Sequence, residues 1–179
     1  MKYITVILAF ILTLIIIFAL NFNGTTNSVS ASEFLRIHVR ANSNSEIDQD
    51  VKYEIKDEIV NFLTPLICQC NSKPDIVKML ESNLNNIKNI ANLKLESRDF
   101  NYESNVKITN ENFPTRTYNN YTLDQGFYDC LLVELGEAVG DNWWCVIYPP
   151  LCFINYSMGN TTNVVYKSKI WEIIKQFFS

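Results

Sequence analysis

One histidine, His38, occurs in 179 residues, and this excludes a multi-histidine metal site. Five glycines are too few for a glycine-rich phosphate loop, and neither G-x-x-x-x-G-K-[ST] nor G-x-G-x-x-G occurs. Positive charge is also scarce. Fifteen Lys and Arg stand against 19 Asp and Glu, a formal charge of -4. A basic nucleic-acid surface is thereby excluded as the main activity. Charged residues make up only 19% of the chain, whereas hydrophobic residues make up 47%. That is apolar material enough for a core, so disorder throughout is excluded. The length allows one domain with accessory segments.

One long apolar run is present. Residues 3–20 are interrupted only by Thr5 and Thr13, with Lys2 before them and no Lys or Arg until Arg36. This asymmetry keeps the amino end in the cytoplasm and sends the rest outward. A run of about 18 residues suits both a signal-peptide core and a membrane span. Val29-Ser30-Ala31 offers small residues for cleavage, about ten residues beyond the run. A cleaved signal and a retained anchor both stand as readings. Either places residues from about 32 onward outside the cytoplasm. Residues 21–32, rich in Asn, Thr, Ser and Gly, form a linker.

The exported part alternates between strand and helix signals. Leu35, Ile37 and Val39 share one strand face, and Arg36, His38 and Arg40 the other, which predicts a half-buried strand. Ser43 with Glu46 fits a capping box, and Ile47, Val51, Ile55, Ile59 and Phe62 or Leu63 form a helical stripe that Pro65 ends. Ser72-Lys73-Pro74-Asp75 opens a second helix whose stripe runs through Ile76, Val77, Leu80, Leu84, Ile87 and Ala91. Strand signals follow around Val106 and Ile108, over residues 113–118, over 128–135 and over 143–148, where Pro149-Pro150 stops the last. Residues 168–178 predict a short amphipathic helix. The expected fold is α+β: a mixed or mainly antiparallel sheet, two consecutive helices packed on it, and a short C-terminal helix. The expected division is 1–31 as signal or anchor with linker, 32–156 as exported domain, and 157–179 as tail.

Cysteine chemistry allows two readings. Outside the cytoplasm disulfides are permitted. A Pro-Pro corner between Cys145 and Cys152 could bring these two sulfurs together. Cys68, Cys70 and Cys130 complete the set, and connectivity cannot be read from spacing. A zinc site is disfavoured, since Cys68-Gln69-Cys70 is not a C-x-x-C knuckle. Alternatively, Cys145 could be a nucleophile assisted by His38 or Arg40, as an exported transpeptidase or hydrolase would need. The tandem Trp143-Trp144 reads either as core packing or as a protein-binding patch, because adjacent strand residues face opposite ways.

Three blocks carry a family resemblance. They are Arg36-Ile37-His38-Val39-Arg40-Ala41-Asn42-Ser43-Asn44-Ser45 with Asp48-Gln49 and Val51-Lys52, then Phe113-Pro114-Thr115-Arg116-Thr117-Tyr118, then residues 142–153 with the tandem Trp, Pro-Pro and two Cys. In order and spacing the chain resembles the stage II sporulation protein R family over most of residues 34–153. Leu123-Asp124-Gln125-Gly126 departs from the family's pattern, as do Cys68, Cys70 and Cys130. The resemblance implies a protein made in the forespore and exported into the space between the forespore and mother-cell membranes. There it triggers a membrane-embedded aspartic protease that processes pro-sigma-E. It implies a signalling ligand and no enzyme, with no catalytic residue, cofactor, metal, nucleic acid or small-molecule substrate. The membrane is a second partner if the N-terminal segment stays uncleaved. Arg36, His38 and Arg40 are expected to contact the partner through donors and positive charge, and Trp143 and Trp144 through aromatic anchoring. A Cys-dependent envelope enzyme and a structural envelope protein are the alternatives.

Overall fold

A computed structural model of the chain describes residues 31–118 and 121–153, with three isolated positions (3, 11 and 13). The apolar run 3–20 otherwise lies outside the described residues, as do the expected C-terminal helix and the tail. Among the described residues no helix is long and apolar enough to cross a membrane.

A 3-10 turn, Ala31–Glu33, leads into strand β1, Leu35–Arg40. Three helices follow: α1 Glu46–Ile67, α2 Lys73–Glu81 and α3 Leu84–Ser97. Then come β2 Ser104–Phe113, β3 Arg116–Tyr118, β4 Tyr121–Leu123, β5 Gly126–Leu135 and β6 Asn142–Tyr148. The fold is α+β.

Helix α1 starts one cap later than the capping box predicts. Ser45, not Ser43, is the N-cap, and its hydroxyl accepts from the Asp48 amide. Asp48 therefore takes the inward position of the first turn, and Ile47 points to solvent, 66% exposed. From there Val51, Ile55, Ile59 and Leu63 are fully buried, as the stripe requires. The helix also runs through Pro65 to Ile67. So close to the end, the missing Pro65 amide removes one bond without stopping the last turn.

The single helix expected after Ser72 is two. Ser82 Oγ donates to the Lys78 carbonyl at 3.0 Å and Asn83 Nδ2 to the Met79 carbonyl at 2.8 Å. These side chains satisfy the end of α2 and let the chain restart at Leu84. The apolar spacing continues across the break, so periodicity alone does not reveal it.

The main sheet has the order β2-β5-β1-β6. β1 runs parallel to β5, while β1–β6 and β2–β5 are antiparallel. Helices cover one face, where Leu35, Ile37, Val39, Leu131, Val133 and Ile147 meet the helical stripes. The opposite face carries a second apolar cluster of Phe34, Phe113, Tyr128, Cys130, Leu132 and Val146. The β3–β4 ribbon, inserted between β2 and β5, folds over this face and adds Leu123 and Tyr118. β1 is thus central and buried on both faces, not half-buried as its alternation predicts.

Candidate functional site

Strand alternation places Arg36, His38 and Arg40 on the ribbon side of β1. Arg36 is 0% exposed and His38 4%. Neither is offered to solvent as a donor, because the ribbon and the second cluster close over them. This burial corrects the expectation of an exposed cationic face.

The Arg36 guanidinium lies in an aromatic cage. Its Cζ is 4.0 Å from the Phe113 ring centroid, 5.0 Å from Tyr128 and 5.7 Å from Tyr118. Nη2 donates to the Tyr118 hydroxyl at 2.6 Å. Nε and Nη1 are buried without a hydrogen-bond partner among the described residues. Burial pulls the Arg36 pKa down, opposed by Tyr118, Tyr128 and Cys130. Burial raises the Tyr118 pKa, opposed by Arg36. Cys130, behind the cage, is pushed up to about 12 by burial, which keeps its thiol protonated and inert.

One residue-pair along, His38 Nδ1 donates to Glu111 Oε2 at 2.7 Å. Arg40 Nη2 donates to Glu111 Oε1 at 2.8 Å, and Arg40 Nη1 to Glu134 Oε1 at 3.2 Å. Burial lowers the His38 pKa, opposed by Asn142 and Glu111, so the ring is neutral near pH 7. Lys107 and Asn105 also donate to Glu134 at 3.0 Å each. These bonds outweigh burial and lower the Glu134 pKa. Arg40 is partly exposed and paired with both Glu111 and Glu134.

The block after β1 builds a polar knot. Buried Asp48 accepts from Ser43 Oγ at 2.5 Å, Asn42 Nδ2 at 3.0 Å and Tyr102 Oη at 2.5 Å. Burial acts to raise the Asp48 pKa, but the bonds from Ser43, Tyr102 and Asn42 win and lower it. Asn42 Oδ1 also accepts from the Glu137 amide at 2.9 Å, and Asn44 Oδ1 from the Asp141 amide at 2.6 Å. Lys52, 1% exposed, donates to Gln49 Oε1 at 2.5 Å and to the Asp141 carbonyl at 3.1 Å. The Gly140 amide bonds the Ala41 carbonyl at 3.0 Å. An added Cβ there would meet the Ser43 carbonyl oxygen at 2.2 Å. The knot thus ties the β1–α1 loop to the β5–β6 loop, and Asp48 and Lys52 are spent on that tie.

The tandem tryptophans part across the sheet. Trp143 packs on the helix-side core, with Lys56 Nζ 5.5 Å from its ring centroid. Trp144 packs on the ribbon side, 5.5 Å from the His38 ring and 4.5 Å below the Arg116 guanidinium. Both are half-buried, and they do not share one surface. Cys145 and Cys152 form a pair across the corner, with Cα atoms 6.3 Å apart. Cys145 is 1% exposed. It sits on the helix side, opposite Ile37, whereas His38 points to the ribbon side. The two are not placed as nucleophile and base. Among the described residues no group of three His, Cys, Asp or Glu could hold a metal ion.

The cage residues Phe113, Tyr118 and Tyr128, the acid Glu111 and the knot members Asp48 and Tyr102 are the functional candidates that sequence reasoning missed. Alternation could have put Tyr128 on the Cys130 face. No local signal announces that the ribbon folds back.

The stage II sporulation protein R family model matches residues 31–158. A relative named stage II sporulation protein R, from Bacillus subtilis (strain 168), is 34% identical over 131 residues. That match covers 73% of this chain and 58% of the relative, so the chain spans under two thirds of the relative's length. No solved structure matches. The matched span contains every residue of the cage, the knot and the tandem-Trp strand. The chain belongs to the stage II sporulation protein R family.

Proposed function

We propose that this protein is an exported sporulation signal. It passes from the forespore into the space between the two membranes and triggers a membrane-embedded aspartic protease to process pro-sigma-E. The observation that carries this reading is the family match over residues 31–158. The apolar run before it supports export, with residues 1–31 as signal or anchor and 32–156 as the signalling domain. In that compartment the Cys145–Cys152 pair is oxidised, and its Cα separation of 6.3 Å suits a disulfide.

The protein acts as a ligand and not as an enzyme. Arg36, His38, Arg40, Trp143 and Trp144 remain the residues assigned to the partner, the first two by way of the ribbon that covers them. A ligand shifts its receptor only through different affinities for the receptor's states, so the domain binds the active arrangement of the protease better. The Cys-dependent enzyme reading gains no support from a buried, paired Cys145 that faces away from His38.

The test is pro-sigma-E cleavage in a cell expressing that factor, its protease and this protein, with and without residues 1–31. Cleavage that needs the exported form is expected. No cleavage, despite folded protein outside the membrane, would sink the reading.

A further inference from the structure

The oddest group in the molecule is the Arg36 guanidinium. A cation taken fully out of water calls for an anion or a complete set of acceptors. Among the described residues Arg36 has one acceptor, the Tyr118 hydroxyl, while Nε and Nη1 have none. Among the described residues no carboxylate pairs with it. The nearby acid on its face, Glu111, is taken by His38 and Arg40. Three ring faces offset part of the missing charge and supply no hydrogen bond.

What covers Arg36 is weakly held. Among the described residues β3 and β4 pair only with each other, and they make no ladder with the four-stranded sheet. A two-stranded ribbon of this length is marginal by itself. Its attachments to the sheet are few: Tyr118 on Arg36, Arg116 on Trp144, buried Leu123, and at its base the Tyr128 hydroxyl, which donates to the Asp124 carbonyl at 2.7 Å. Such a unit opens without unfolding the sheet beneath. Phe113 and Tyr128 belong to β2 and β5, so they stay with Arg36 when the ribbon lifts. The opened site has an aromatic floor and a guanidinium whose five N–H groups, with Tyr118 gone, have no acceptor among the described residues. It is built for an acceptor with negative charge and two oxygens.

We infer that the β3–β4 ribbon is a lid, and that Arg36 beneath it receives an acidic side chain of the protein partner. The inference rests on the signalling reading only for there being a protein partner. Water is a poorer occupant, because it brings oxygen without charge. The closed lid keeps the site from the acidic surfaces of other proteins until a partner displaces Tyr118.

The test uses the full chain and phenylglyoxal, which modifies accessible guanidinium groups, with peptide mapping to read Arg36 separately from Arg40, Arg98 and Arg116. Arg36 is expected to react under native conditions faster than the chain unfolds globally. Tyr118→Phe, which removes the latch, is expected to speed the reaction about tenfold. A short Glu/Asp peptide is expected to slow modification of Arg36, and its Gln/Asn counterpart to leave it unchanged. Reaction only at the global unfolding rate in both proteins would overturn the lid. Equal effects of the two peptides, or none from either, would overturn the carboxylate site. Protection by the acidic peptide together with absent pro-sigma-E cleavage would sink the protease reading and leave the site standing.

Discussion

Arg36 and Tyr118 are 82 positions apart in sequence and 2.6 Å apart in space. Their hydrogen bond joins the central strand of the main sheet to a ribbon that shares no ladder with it. The most buried charge in the ribbon-side cluster is thus held by the least anchored element.

Replacing Arg36 by a residue of similar length without charge separates stability from signalling. A buried cation without an anion is stabilised little by its surroundings, and apolar replacement of buried ions is often neutral or favourable. Arg36→Met is expected to leave the unfolding free energy unchanged or to raise it by about 1–3 kcal/mol. The same variant is expected to lose pro-sigma-E cleavage. Thermal denaturation beside the cleavage assay checks both. A clear loss of stability would make Arg36 a structural residue.

His38 predicts acid sensitivity in a window of its own. Its pKa is lowered in the fold, so between that value and the ordinary 6.5 the unfolded chain binds more protons than the folded one. Stability then falls as pH drops below 6.5 and rises as pH returns through it. His38→Asn is expected to flatten urea midpoints between about pH 7.5 and 5.5 relative to the native chain. An unchanged slope would contradict the burial argument. Loss at still lower pH remains in the variant, since Asp48 is also lowered in the fold and must be protonated there.

The polar knot should be intolerant of small changes. Asp48→Asn turns an acceptor of three hydrogen bonds into a group that must also donate, against Ser43, Asn42 and Tyr102. A cost of about 2–4 kcal/mol is expected in denaturant titration. Gly140→Ala places a methyl against the Ser43 carbonyl and is expected to cost about 2 kcal/mol. A midpoint unchanged in both variants would show that the two loops are not tied.

The Cys145–Cys152 pair predicts a redox dependence. An oxidised pair at a sequence separation of 7 stabilises by about 2–3 kcal/mol through loop closure. Adding a thiol reductant is expected to lower the melting temperature of the native chain. Cys145→Ala and Cys152→Ala should lie near the reduced level and respond little to reductant. Identical melting of the native chain with and without reductant would place both sulfurs in the thiol state.

Much of this architecture is legible locally. The alternation of residues 35–40, the stripe Val51, Ile55, Ile59, Leu63 and the Pro149-Pro150 stop are short-range signals, and each names its element correctly. Errors arise where two local signals compete. Ser43 and Ser45 both fit a cap, and only the inward demand of Asp48 selects Ser45. Ser82 and Asn83 interrupt a stripe whose spacing never falters, because their side chains act on backbone carbonyls four residues back.

The sequence by itself determined the fold class and the family. Those rest on periodicity, composition and ordered blocks, which are properties of neighbouring residues. Only the tertiary structure decided what Arg36 and His38 face. Alternation says that they leave the helix-side core, and it cannot say whether water or protein lies beyond. The ribbon answers that, since Tyr118 reaches Arg36 and Arg116 reaches Trp144 across contacts that no spacing encodes. A strand's second face is settled by whatever else the chain brings to it, and here that is a short insertion between β2 and β5.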